Sequence, residues 1–289
     1  MDNGLVLGVD IGGSHITAAL VNLQARAILP ETLTRTYINA HSSAHDIISA
    51  WATTMQMASG QLPTTSLSIG IAMPGPFDYE NGVSKMQGQD KYDALYDQNV
   101  RDLLAERLDM ERQHIRFMND AACFLQGEVF GGAAQGFQHV IGLTLGTGLG
   151  SARYHGHMAE DAALWCSPFL DSIAEEYLVT RWFVNHYQRR TGTAVSGVRE
   201  LVADAAANTE TRALFEEYGR NLGNFLANFI AIDKPEAVVI GGNIARAMAL
   251  FQPHAEKVLA DRALTVPLFQ STLAEEAALI GAASCWSTN

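Results

Sequence analysis

Cysteine is scarce in this chain. The three present, Cys123, Cys166 and Cys285, are widely spaced, and without a Cys-x-x-Cys pair neither a zinc cluster nor a disulfide framework is indicated. Positive charge is also in short supply. Lys and Arg together number 19 against 31 Asp and Glu, a net charge of −12. An acidic chain with no basic block is a poor binder of a nucleic acid backbone or an anionic membrane, although backbone amides can still hold a small phosphate ligand locally. No segment approaches the roughly 20 apolar residues of a spanning helix. The opening MDNGLVLGVD lacks the basic start and long apolar run of a secretory signal, so the cytoplasm is the expected location. A Pro- or Ser-rich linker is missing too, which predicts lobes packed and hinged rather than strung apart. What the chain does have is 48% hydrophobic residues over 289 positions, enough for two domains of ordinary size and too much for disorder.

The order of elements follows from periodicity and breakers. Leu5 to Val9 reads as a strand ending at Asp10, Gly12-Gly13-Ser14 as a turn, and Ile16 to Val21 as a returning strand. A helix is expected over about 44–58. A short apolar run over 66–72 follows, stopped by Met73-Pro74-Gly75-Pro76, and then helical periodicity over 98–108. A strand over 115–118 reaches Asn119-Asp120 and a helix over about 121–130. A buried strand over 140–145 opens into Gly146-Thr147-Gly148-Leu149-Gly150. Helices are expected over about 172–188 and 215–232, a strand over 237–240 ending at Gly241-Gly242-Asn243, and a last helix over 274–286. Two α/β halves, each opening on a strand and a glycine turn, suggest a duplication.

Four features carry chemistry. In Gly8-Val9-Asp10-Ile11-Gly12-Gly13-Ser14, small residues let amides approach phosphate oxygens, and Asp10 is placed to hold Mg²⁺ through water; an ordinary hairpin turn is an equal alternative. Gly146-Thr147-Gly148-Leu149-Gly150 could serve terminal phosphates. It also resembles a dinucleotide fingerprint, but that reading requires a helix directly afterwards, and 151–154 reads as a strand. Asn119-Asp120 sits where a kinase needs a carboxylate to take a proton from an alcohol; taken alone, a helix cap is the better explanation. Gly241-Gly242 could let a flat nucleoside lie against backbone, and alone is equally well a strand-to-helix turn.

Together, Asp10 to Ser14, Met73 to Pro76, Asn119 to Ala121, Gly146 to Gly150, Pro235 to Gly242 and the ending Ala277-Leu279-Ile280-Gly281-Ala282-Ala283 resemble the ROK family (repressor, open reading frame, kinase), in the same order and over nearly the whole chain. The resemblance implies a two-lobed actin-like ATPase (ribonuclease H-like) α/β fold with the active site in the interlobe cleft. It implies lobes of 1–116, joined by the C-terminal helix 274–289, and of 117–273. It implies transfer of the ATP γ-phosphate to a hexose hydroxyl, often the 6-hydroxyl, as in glucokinase-, fructokinase- or mannokinase-like enzymes. By the same resemblance Asp120 is the catalytic base, and Asn119, Gly75 and Glu175 lie on the sugar side, with Glu176 competing with Glu175. Gly12, Gly13 and Ser14 match the first phosphate loop, Gly146, Thr147 and Gly148 the second, and Gly241 and Gly242 the nucleoside-side turn. ATP and Mg²⁺ are the implied cofactors, and homodimers are common in the family.

The match breaks over 159–168. Many members carry a structural zinc there, whereas this stretch offers only Cys166; four tetrahedral ligands cannot be assembled, and no zinc is expected. His155 and His157 read as turn residues. Glu160, Asp161 and the segment 88–93 are weaker candidates for the sugar side. Three other readings stay open: a non-catalytic sugar or nucleotide sensor of the same fold, a dinucleotide-dependent oxidoreductase, and an acyl or acetate kinase, which would not need Asp120 as a base.

Overall fold

The computed structural model describes residues 4–287, which divide into two compact units: residues up to 135 together with 275 onward, and 136–274. In the first unit, β1 (Leu5–Ile11) and β2 (His15–Asn22) form the expected hairpin, followed by β3 (Ala27–Ile28), β4 (Thr34–Tyr37) and α1 (Ala44–Ser59). Then come β5 (Ser68–Met73), a small ribbon of β6 (Phe77–Asp78) and β7 (Val83–Ser84), α2 (Val100–Leu108), β8 (Ile115–Asn119) and α3 (Asp120–Gly131). The sheet order is β3-β2-β1-β5-β8, with β4 also on β2; β1/β2 is antiparallel, and β1/β5 and β5/β8 are parallel.

Period-two alternation decides what covers each face. Leu7, Val9 and Ile11 of β1 and Ile69, Ile71 and Met73 of β5 face one core with Ile47, Trp51 and Met55 of α1 and Leu104 and Leu108 of α2. The opposite face carries Gly8 of β1 and Gly70 and Ala72 of β5, and a helix backbone lies directly on these glycines.

The second unit repeats the strand pattern. β9 (His139–Leu145) and β10 (Leu149–His155) form a hairpin, followed by β11 (Glu160–Asp161), the ribbon β12 (Pro168–Phe169) and β13 (Ser172–Ile173), and the helices α4 (Ala174–Leu178), α5 (Thr180–Thr191), α6 (Val198–Asp204) and α7 (Thr209–Asp233). β14 (Ala237–Gly241), α8 (Met248–Asp261) and β15 (Leu268–Gln270) complete it, giving the order β11-β10-β9-β14-β15 with β9/β14 and β14/β15 parallel. Ile141, Leu143 and Leu145 face a core built from α5, α7 and α8, with Trp182, Phe183, Phe215, Tyr218 and Phe251 at its centre.

The helix expected over 172–188 is broken. Val179 is extended, at φ −120° and ψ 170°, because both the amide and the hydroxyl of Thr180 donate to the Gly146 carbonyl, at 2.8 and 2.9 Å. That tertiary bond outweighs local helical preference. The helix expected over 215–232 begins six residues earlier, at Thr209, where Asn208 accepts from the amides of Glu210 and Thr211 as N-cap.

The chain then returns to the first unit as a 3₁₀ turn (Ala274–Glu276) and α9 (Ala277–Ser284); residues 288–289 of the expected terminal helix lie outside the described residues. A Cβ on Gly8 would stand 2.3 Å from the Leu279 carbonyl oxygen, and one on Gly70 1.9 Å from that of Ala282, so α9 rests its backbone on β1 and β5. On its other side it meets α3, where Cβ atoms at Gly127 and Gly281 would fall 2.0 and 1.8 Å from the carbonyl oxygens of Ala277 and Cys123. This contact explains why the first unit extends to residue 135, past the boundary expected at 116/117: α3 shares its buried face with α9. Gly281→Ala is therefore expected to cost about 3 kcal/mol, read as a lower urea midpoint, although Gly→Ala in an exposed helix normally stabilises by about 1 kcal/mol.

Candidate functional site

In the first unit the expected residues gather at the carboxyl ends of three neighbouring parallel strands, where open α/β sheets take their ligands. Asp10, the last residue but one of β1, is in register with Ala72 of β5, and Met73 of β5 lies in register with Asn119 of β8. Asp10 is partly buried. Burial first, and then the neighbouring Asp120 charge, push its carboxyl from 3.8 up to about 7; Arg35 opposes the rise and Glu275 adds to it. Asp120, the first residue of α3, is exposed, and its Oδ1 accepts from the Ala121 amide at 2.9 Å.

Asn119 does act as a helix cap. Its Oδ1 accepts from the Ala122 amide at 3.1 Å, while its Nδ2 donates to the Tyr79 hydroxyl at 3.3 Å. That hydroxyl donates to the Met73 carbonyl at 3.0 Å, and a Cβ on Gly75 would meet it at 3.4 Å. Tyr79 thus connects the loop after β5, with its cis Gly75–Pro76 bond, to the end of β8. Sequence reasoning missed Tyr79, because nothing local marks a tyrosine that acts through residues 40 positions away.

The first glycine turn is held at both edges. The Gly12 amide donates to the His15 carbonyl at 2.9 Å, and the Ser14 carbonyl accepts from the Ile38 amide at 2.9 Å. The Gly12 carbonyl accepts from the hydroxyl of Tyr92, a buried residue in the left-handed region whose ring packs edge-on against Trp51 at 5.1 Å. Burial pushes the Tyr92 hydroxyl up to about 12, so it stays a donor. The amides of Gly13 and Ser14 donate to no acceptor among the described residues, which leaves an anion nest. The segment 88–93 therefore contributes in a way periodicity did not reveal: Tyr92 pins the turn, and the Lys91 stem lies beside Gly13, its Cδ 3.7 Å from where a Cβ would be. Tyr92→Phe should lower stability by about 1 kcal/mol and loosen the turn, measurable as faster amide hydrogen exchange at Gly13 and Ser14.

In the second unit the two other glycine turns meet. Gly241 of β14 is in register with Thr144 of β9. Gly242 sits at φ +84°, and a Cβ there would be 2.4 Å from the Leu145 carbonyl oxygen, so only glycine fits. The amides of Thr147 and Gly148 again donate to no acceptor among the described residues. Glu175 stands at this turn. Its Oε2 accepts from the Leu149 amide at 3.0 Å and its Oε1 from Arg181 at 3.1 Å. Glu176 is exposed and, among the described residues, bound only to Arg181, at 2.7 Å, so of the competing pair Glu175 faces the turn. Among the described residues no three His, Cys, Asp or Glu side chains group as metal ligands; Cys166 is exposed, and His155 lies 3.5 Å from the buried Asp233 carboxylate. No helix among the described residues is long and apolar enough to cross a membrane.

These two α/β units, each with glycine turns at the ends of its strands, define an actin-like ATPase fold. The ROK family model matches residues 6–289, and the chain belongs to that family. It is 28% identical to a glucokinase of Thermotoga maritima over 96% of both chains. It is 25% identical to an N-acetyl-D-glucosamine kinase of Mannheimia succiniciproducens over 86% of this chain and 87% of that one. Among solved structures it is similar to a ROK family glucokinase from Streptomyces griseus in complex with glucose and AMPPNP, with TM-score 0.77, 22% identity, and 98% and 99% of the two chains covered.

Proposed function

We propose that this chain is an ATP-dependent sugar kinase that phosphorylates a hexose hydroxyl, the 6-hydroxyl first among candidates, with Asp120 as the general base. The observation that carries the reading is the exposed Asp120 carboxylate beside Asp10 at the ends of β8 and β1, next to a turn whose amides await an anion. Relatives named glucokinase and N-acetyl-D-glucosamine kinase, and a neighbour holding glucose and an ATP analogue, support it.

Each residue then has a task. Asp120 accepts the hydroxyl proton as phosphate transfer proceeds; an ordinary carboxylate suffices, because the hydroxyl becomes acidic only late in transfer. Asn119 spends Oδ1 on the helix and one N–H on Tyr79, and its remaining N–H orients a neighbouring sugar hydroxyl. The Gly75 loop, braced by Tyr79, borders the sugar. In the first unit the amides of Gly13 and Ser14 suit phosphate oxygens; in the second, the amides of Thr147 and Gly148 do the same, with Gly241-Gly242 suited to a nucleoside. Glu175 either reaches the sugar or holds the second turn in shape; its two bonds favour the second task.

Asp10 fits Mg²⁺ held through water, since oxygen ligands suit that ion and a divalent cation would favour the charged carboxylate that burial, and then the Asp120 charge, disfavour. When bound, Mg²⁺ neutralises phosphate charge. The test is ADP release from ATP and Mg²⁺ across glucose, fructose, mannose and N-acetylhexosamines. A sugar-dependent signal is expected. Silence with ATP binding intact would favour a sensor, and binding of NAD in place of ATP an oxidoreductase.

A further inference from the structure

His15, Arg35 and Glu275 form a chain beside the first glycine turn that the proposed mechanism does not use. Arg35 lies on β4 opposite Thr17, and His15 opposite Tyr37, so Arg35 and His15 are diagonal neighbours on one face of the ribbon, within reach of long side chains. The Arg35 Nη2 is 2.7 Å from the His15 Nε2, and its Nη1 donates to the Glu275 Oε2 at 3.1 Å. On the other side of the ring, the His15 Nδ1 is 3.3 Å from the Ser14 Oγ.

We infer that Arg35 holds His15 as the neutral Nδ1–H tautomer, and that His15 thereby fixes the Ser14 hydroxyl as a donor aimed at a bound phosphate; the ligand half rests on the nucleotide site proposed above. The argument is one of donors and acceptors. A guanidinium has five N–H groups and no lone pair, so at 2.7 Å the His15 Nε2 must be the acceptor. A neutral imidazole then carries its proton on Nδ1, and that N–H donates into a lone pair of the Ser14 Oγ. With its oxygen so engaged, the Ser14 hydroxyl has its own proton left to give, and it does not give it to the ring. It becomes a third donor beside the amides of Gly13 and Ser14, which lack acceptors among the described residues.

Two further observations agree. The ring lies over Gly12, where a Cβ would be 3.4 Å from the His15 Cε1, so the turn leaves room for it. Burial first, and then the Arg35 charge, hold the imidazole below its usual range, against the opposing pull of Glu275. The Arg35–Glu275 ion pair is itself half exposed or more on both sides and adds little energy; its part is to keep Arg35 aimed. His15 is thus a positioning residue, acting through Ser14.

The test uses the full chain. Ring ¹⁵N–¹H spectra of His15 are expected to show Nδ1 protonated and Nε2 bare, and ATP·Mg²⁺ titration calorimetry compares four variants. His15→Gln keeps a carbonyl for Arg35 but no donor toward Ser14; His15→Asn puts an amide N–H where Nδ1–H was. A hydrogen bond to a charged group is worth roughly tenfold to a hundredfold in affinity. His15→Gln and Ser14→Ala should each lose about that, the double variant about no more than either, and His15→Asn should recover to within about threefold of the unaltered protein. An Nε2–H tautomer, or His15→Gln binding as tightly as the unaltered chain, overturns the inference. An unaltered chain that binds no ATP overturns the nucleotide reading and the ligand half with it, while the spectrum still decides the tautomer.

Discussion

Asp120→Asn should lower sugar-dependent ADP release by roughly 10² to 10⁴ and leave the fold almost untouched. The substitution keeps the shape and removes only the base. Oδ1, which accepts from the Ala121 amide, survives as the amide oxygen of asparagine, so the start of α3 keeps that bond. What is lost is a negative charge at the first position of a helix, about 0.3–1 kcal/mol. Part of that loss is returned, because the Asp120 charge disfavours the ionised form of Asp10. A large fall in turnover beside a nearly unchanged melting temperature and retained ATP affinity would separate chemistry from structure. Turnover that survives the change undiminished would remove Asp120 from the role of base and bring forward the acyl-kinase reading, in which the acceptor already lacks its proton.

How far the sequence spoke for this site depends on distance along the chain. Asp10, Asn119-Asp120 and the glycine turns could be read because each is a strand end followed by a breaker, and both signals are local. The short apolar runs that became β1 and β5 could be read in the same way. The parts that escaped are those whose reason lies elsewhere in the chain. Tyr92 reaches a carbonyl 80 positions away, and Arg35 reaches Glu275 across 240; neither carries a local mark of its task. The break between α4 and α5 comes from the bond of Thr180 to Gly146. β4, written Thr-Arg-Thr-Tyr, has no apolar alternation because it lies at an edge and is partly exposed throughout. α8 carries Pro253 as its sixth residue, inside the helix, where the missing amide and the ring work against helix formation, so the local sequence argues against the element that forms. Even Asn119 shows the limit: from the sequence, helix cap and sugar-side residue are rival readings, and the structure gives it the cap while leaving one N–H to spare.

Asp10→Asn, unlike Asp120→Asn, is expected to change stability markedly, making the metal-free protein more stable while removing its Mg²⁺-dependent turnover. The carboxyl stands at about 7 in the folded chain against 3.8 ordinarily, raised mainly by burial and then by Asp120. Because the folded value is above the unfolded one, the folded state binds more protons between those two values. Stability is therefore lost as pH rises from about 4 toward 7, and the whole penalty is present above 7. At 1.36 kcal/mol per unit the shift corresponds to an upper bound of about 4 kcal/mol, which asparagine, carrying no charge, does not incur. At pH 8 without Mg²⁺ the variant should melt higher than the unaltered chain, and at pH 4, where both residues are neutral in the folded state, the two should nearly coincide. Adding Mg²⁺ with nucleotide should stabilise only the chain that retains the carboxylate. A variant that melts lower at pH 8 would mean that Asp10 is held by partners that reward its charge, and its place as the Mg²⁺-side carboxylate would then have to be argued without the strain that now singles it out.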